Sequence, residues 1–118
     1  MPVDTVDDQE VSAMATCSVS PGRPYIWWSN NVKYVRTDIS ATCSPAVSYI
    51  RVVGGLRGPN PGTAEWRCPA SGSGTITSCP GYVIRAYSAG CWYGEASGYA
   101  PNWESYVRNP AYPNCVSL

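Results

Sequence analysis

Histidine and phenylalanine are absent from this sequence, lysine occurs once (Lys33) and leucine twice. Without histidine there is no Ser-His-Asp triad, no Cys-His dyad and no His-ligated metal. Charge is scarce as well, at 14% of residues against roughly 25% in ordinary soluble domains. No stretch approaches the run of about 20 apolar residues that a membrane helix needs. Neither a P-loop nor a G-x-G-x-x-G stretch occurs, and Gly90 to Gly98 lacks the basic residue and following helix that a phosphate site wants. The expectation is therefore no catalytic residue, no metal and no cofactor.

What is present points to strands. Twelve Val and five Ile stand against two Leu, and β-branched side chains suit a pleated surface better than a helix. The 118 residues suit one domain, and 11 Gly with 11 Pro supply many turns. Ala13, Ala15, Cys17 and Val19 alternate up to Pro21-Gly22. Val35, Thr37, Ile39, Ala41 and Cys43 alternate up to Pro45. Ile50, Val52 and Leu56 mark a third strand, bent at Gly54-Gly55, and Ala64, Trp66 and Cys68 a fourth. Short strands follow at Ile76 to Cys79, Tyr82 to Ser88 and Cys91 to Gly94, while the proline-bearing tail reads as irregular apart from Trp103 to Arg108. No segment holds a 3.6-residue apolar period. About seven such strands predict an all-β, antiparallel sandwich, with a small barrel as the alternative.

The cysteines are Cys17, Cys43, Cys68, Cys79, Cys91 and Cys115, with no C-x-x-C spacing. An even set in a short, loop-rich chain reads as three disulfides rather than a metal site. Six cysteines allow 15 pairings, among which sequence does not choose. Pairing of neighbours is the expectation, with Cys68 and Cys79 brought together by a hairpin turning at Ser71-Gly72-Ser73-Gly74. Disulfides imply export, to a secreted or extracellular location. Met1 to Glu10 is acidic, with neither a positive n-region nor an apolar h-region, so a mature exported form is expected.

Residues 1–11 read as a separate acidic arm: Asp4, Asp7, Asp8 and Glu10 are half of the eight acidic residues. The body from residue 12 on carries eight basic and four acidic side chains, a net of +4. The arm is either a solvated leader or a segment that docks on a basic groove of its own or of a second copy.

Ala15-Thr16-Cys17, then Ala41-Thr42-Cys43-Ser44-Pro45-Ala46-Val47-Ser48, then a hairpin with paired Cys, resemble small secreted disulfide-rich proteins of actinobacteria over residues 13–94. The resemblance implies an immunoglobulin-like sandwich and export. It brings no catalytic residues.

The candidate binding residues are aromatic. All five Trp and nine Tyr carry an N–H or O–H group, which suits half-wet sites. One cluster is Trp27, Trp28, Asn30 and Asn31, beside a turn; the other includes Trp92, Tyr93 and Trp103. Extended chain would send Trp27 and Trp28 to opposite faces. Most of these rings are expected in the core or over disulfides, with at least one exposed. Exposed aromatics with seven Arg fit a protein partner or self-assembly. Rings beside Asn fit a glycan, and the stapled scaffold also fits a toxin or inhibitor. Nucleic acid is not expected, because the body lacks Lys clusters. The acids outside the arm are Asp38, Glu65, Glu95 and Glu104. Glu95 and Glu104 would be the best glycosidase pair, but both read as surface acids paired with Arg. The favoured function is a secreted, non-catalytic interaction module.

Overall fold

The structure, a computed structural model, describes residues 15–62, 64–68 and 71–118. The acidic arm therefore lies outside the described residues. Among them the chain forms nine strands and no helix: β1 Thr16–Pro21, β2 Tyr25–Ser29, β3 Val32–Tyr49, β4 Arg51–Arg57, β5 Ala64–Cys68, β6 Ser71–Ala86, β7 Cys91–Ala100, β8 Trp103–Asn109 and β9 Val116–Ser117. They make two antiparallel sheets, neither closed into a barrel, so the barrel alternative does not hold.

The first sheet is built on β3. Both β1 and β2 pair with it, and β6 pairs with it from Tyr34 to Tyr49. Thr16 to Pro21 face Ser44 to Ile39, and Tyr25 to Ser29 face Arg36 to Val32. Three residues, 22–24, thus lie opposite Thr37 and Asp38, a bulge within one long hairpin. The second sheet runs β5-β4-β7-β8, with β9 on the start of β7.

Several expected boundaries shift. Tyr25 to Ser29, not among the expected strands, forms β2. The strand through Val35 does not stop at Pro45, because the register slips between Thr42 and Val47 and accommodates the missing N–H there. Ile76–Cys79 and Tyr82–Ser88 belong largely to one strand, β6. Pro80 is tolerated inside it because, among the described residues, β6 pairs on one side only. Strand β7 continues past Gly94 to Ala100, and β8 carries order into the tail.

Alternation fills the space between the sheets. Val35, Ile39, Ala41, Cys43 and Val47 come from β3, Val52 and Leu56 from β4, Trp92, Ala96 and Ala100 from β7. Glycine lets the sheets approach: Gly54 of β4 lies against the Ile39 side chain and Gly81 of β6 against the Trp66 ring, where an added Cβ would overlap. The one buried polar side chain among the described residues, Thr37, donates its hydroxyl to the Gly22 carbonyl at 2.7 Å, so its burial leaves no lost hydrogen bond.

The disulfides are Cys17–Cys43, Cys68–Cys79 and Cys91–Cys115. Cys17 and Cys43 are directly opposed on β1 and β3. The hairpin expected for Cys68 and Cys79 is not what joins them. Cys68 lies on β5 beside β4 and Cys79 on β6 beside β3, so this bridge links the two sheets.

Candidate functional site

The long hairpin runs on past the bulge at residues 22–24, where β3 exchanges β1 for β2 as its partner. At its base, the Gly22 N–H donates to the Asp38 carbonyl at 2.6 Å, and the Asn109 side chain of β8 donates to the Pro21 carbonyl at 3.0 Å. These bonds fix the bulge to the body. Beyond it, β2 packs substantially on β3 alone. The molecule is elongated, 63 × 31 × 19 Å, and β3, with 18 residues, is its longest strand among the described residues.

The tip closes on two residues. Ser29 pairs with Val32, and Asn30 and Asn31 have φ of 52° and 64°. A type I′ turn needs positive φ at both central positions, and Asn tolerates it better than most residues. These two asparagines thus make the turn expected beside Trp27 and Trp28.

Both faces of the tip carry aromatics. On the outward face Trp27 and Tyr34 are cross-strand partners, with ring centroids 5.9 Å apart. Arg36 follows, its guanidinium 5.2 Å from the Trp27 ring and 4.1 Å from the Tyr82 ring. Arg36 also donates from Nε to Asp38 at 2.8 Å, and the Tyr25 hydroxyl donates to the same carboxylate at 2.9 Å. The bond to Asp38 raises the Arg36 pKa. Burial first, then the bond to Asp38, raises that of Tyr25. On the other face lies Trp28, 61% exposed, with Lys33 5.9 Å from its ring and 3.8 Å from that of Tyr87. Trp27 and Trp28 thus do point opposite ways. Val32 on the tip is exposed too.

Strand β2 is also an edge. Among the described residues it pairs with β3 only, leaving a row of backbone groups open. Its five residues, Tyr-Ile-Trp-Trp-Ser, include no charge. The other free edges among the described residues differ: β5 carries Glu65 and Arg67, β8 carries Glu104 and Arg108, β6 carries Pro80 and Arg85, β1 is half Ser and Thr and ends in Pro21, and β9 is only two residues long. The usual devices that blunt an edge are missing from β2 alone in combination with large apolar rings.

The second predicted cluster does not assemble. Trp92 has 0% exposure; its indole N–H donates to the Ser88 carbonyl at 2.9 Å and its ring lies on Gly58. A ring with no free face offers none to a ligand. Trp103 packs inward on the core beside Gly98. Tyr93 alone of the three faces outward, and the Arg108 guanidinium covers it at 3.5 Å.

The carboxylates separate as well. Glu104 stands opposite Tyr99, while Glu95 is opposite Arg108 on the outer face of the second sheet. The Arg57 Nε donates to Glu95 Oε2 at 2.5 Å, and the Tyr106 hydroxyl donates to Oε1 at 2.7 Å. Burial pushes the Glu95 pKa up, but the bonds from Tyr106 and Arg57 outweigh it and hold the group below its usual value. That suits a fixed anion better than a proton donor, which a glycosidase acid must be. Of the arginines, Arg36 belongs to one sheet's outer face, Arg51, Arg57 and Arg67 to the other's. Arg85 reaches between the sheets to the Leu56 and Pro61 carbonyls. No single basic stripe forms from these five. Sequence reasoning missed the Arg57–Glu95–Tyr106 set, whose members are brought together only by the register of β4, β7 and β8. No protein-family model, curated protein or solved structure matches this chain.

Proposed function

We propose that this chain is a secreted, non-catalytic interaction module that takes a protein partner, or a second copy of itself, along β2. One observation carries the reading: an uncharged aromatic edge strand, on a hairpin tip exposed on both faces. An extended segment added to such an edge gains backbone hydrogen bonds, while neighbouring rings supply pockets for its side chains. Trp, Tyr and Arg, the residues of the tip, are those most often found at binding hot spots. Export rests on the three disulfides, which persist outside the reducing cytosol. The glycan reading of the tip has less support, since Trp27 and Trp28 face apart and Asn30 and Asn31 make the turn.

Selection of random peptides against the immobilised chain, with light scattering over a range of concentrations, tests the reading. Selected peptides, or a self-associated species, are expected to lose at least about tenfold in affinity with Trp28→Lys, as for a hot spot of roughly 1.4 kcal/mol or more. Binders indifferent both to Trp28→Lys and to Tyr25→Lys, with a monomer at every concentration, would remove it.

A further inference from the structure

The outer face of the second sheet has a gap in it. In register across β5, β4, β7 and β8 run Glu65, Gly55, Glu95 and Arg108. Gly55 has no side chain, so the row is open between two glutamates whose Cα atoms stand about 10 Å apart, two strand spacings. The next row is Arg67, Val53, Ser97 and Tyr106. The result is a half-open depression of about 200 Å³, floored by the backbone at Gly55 and walled by Arg57, Glu65, Glu95, Ser97 and Tyr106.

Its walls are prearranged. Glu95 is held by Arg57 and Tyr106 at once, which fixes its carboxylate without exhausting it, since each oxygen has two lone pairs. Arg57 uses only Nε in that contact; among the described residues its terminal N–H groups have no partner. Ser97 offers a hydroxyl that donates and accepts. Tyr106, 58% exposed, offers a ring face.

From this we infer a second binding site, independent of β2, for one neutral pyranose unit of a glycan. The charge pattern argues for a neutral ligand. Both glutamates already have arginine partners, Arg57 on Glu95 and Arg67 on Glu65 at 3.3 Å. A cation entering the gap would face Arg57, and an anion would face Glu65 and Glu95. A polyol meets neither objection, because its hydroxyls alternate donor and acceptor as the wall does, and its C–H face suits the Tyr106 ring. Polar selectivity on an exposed sheet needs such fixed donors and acceptors, for otherwise water competes on equal terms.

Titration of the ¹⁵N-labelled chain with methyl pyranosides of glucose, galactose, mannose and N-acetylglucosamine, and separately with butylammonium, tests this by amide shifts. At least one pyranoside is expected to shift Gly55, Ser97 and Tyr106 saturably. Glu95→Gln, which keeps shape and loses charge, is expected to weaken that binding by about tenfold or more. Ser97→Val is expected to weaken it severalfold, and Glu104→Gln, a carboxylate on the same sheet outside the gap, to leave it unchanged. The inference is overturned if no pyranoside shifts these amides, if butylammonium alone does, or if Glu104→Gln weakens binding as much as Glu95→Gln.

Discussion

Trp28 and Trp92 are chemically identical and placed as differently as two residues can be, so their removal should separate by several kcal/mol. Trp92 is fully enclosed, with its ring against Gly58 at 2.5 Å from where a Cβ would stand. Truncating a buried Trp to Ala costs about 3–5 kcal/mol in lost transfer energy and cavity. The Ser88 carbonyl, now accepting the indole N–H at 2.9 Å, would lose that partner for about 1 kcal/mol more. Trp92→Ala should therefore cost about 5 kcal/mol, a large share of the roughly 5–15 kcal/mol that holds a domain folded. Trp92→Phe keeps most of the ring and should cost less, chiefly the hydrogen bond and a smaller void. Trp28 is mostly in water and its main described neighbour is Lys33 at 5.9 Å. Trp28→Ser should stay within about 1 kcal/mol, the worth of an exposed cation–π contact. Guanidinium unfolding followed by circular dichroism, with disulfides intact, gives both numbers at matched m-values. If Trp28→Ser destabilises as much as Trp92→Phe, the hairpin tip is packed rather than free, and the case for β2 as a docking edge fails with it.

The Tyr106–Glu95 pair makes a prediction about pH. Burial and then the bond to Glu95 raise the Tyr106 pKa from 10.0 to about 12, so a 295 nm absorbance titration should show a late step there, which Tyr106→Phe should remove while leaving the raised step of Tyr25 in place. The signs of the two groups are opposite. Tyr106, raised when folded, contributes stability in full below its unfolded value and loses it as pH climbs through about 12. Glu95, lowered when folded, contributes above its unfolded value and loses its share as pH falls through the folded one. No late tyrosine in the wild type would contradict the hydrogen bond. The disulfides make a third prediction. Loop entropy assigns Cys68–Cys79, 11 residues apart, about 3 kcal/mol, and Cys17–Cys43, 26 apart, about 3.5 kcal/mol. Yet only the first joins the sheets. Replacing it with two alanines should speed hydrogen exchange selectively in β5, whereas replacing Cys17 and Cys43 should leave the β1 ladder protected relative to the global stability; equal local loss in both would refute the inter-sheet role.

What the sequence displays and what it hides follows from period and distance. The inward run Val35, Thr37, Ile39, Ala41 and Cys43 is legible because a strand's period of two is written in the residues themselves. The extension of β7 is not, because its inward side chains after Trp92 are Gly94, Ala96, Gly98 and Ala100, too small to stand out as an apolar pattern. Strand β2 escapes for another reason: both of its faces are aromatic, so Tyr-Ile-Trp-Trp shows no alternation. The turn beside this cluster is legible in Asn30 and Asn31, two residues tolerant of positive φ between apolar runs. The Gly55 depression is invisible in one dimension. Glu65, Glu95 and Tyr106 are brought around one glycine by three independent strand registers, and each register is fixed by burial on the opposite face of the sheet.

The absence of phenylalanine ties these features together. Every ring here can hydrogen-bond, and the structure uses that: Tyr25 on Asp38, Tyr106 on Glu95, Trp92 on Ser88. The guanidinium groups then lie over ring faces, Arg36 on Tyr82 and Trp27, Arg108 on Tyr93 and Tyr112, Arg51 on Tyr49. Such stacking keeps an aromatic surface wettable, because the planar cation presents its N–H groups to water while its face covers the ring. It also holds the rings in place before any partner arrives, which lowers the ordering cost that binding would otherwise meet. Trp28 departs from this rule: its nearest cation is Lys33, which sits closer to Tyr87 than to Trp28. Trp28, 61% exposed on an uncharged edge strand, is therefore a ring at which further contact has much to gain, as Tyr106 is on the second sheet.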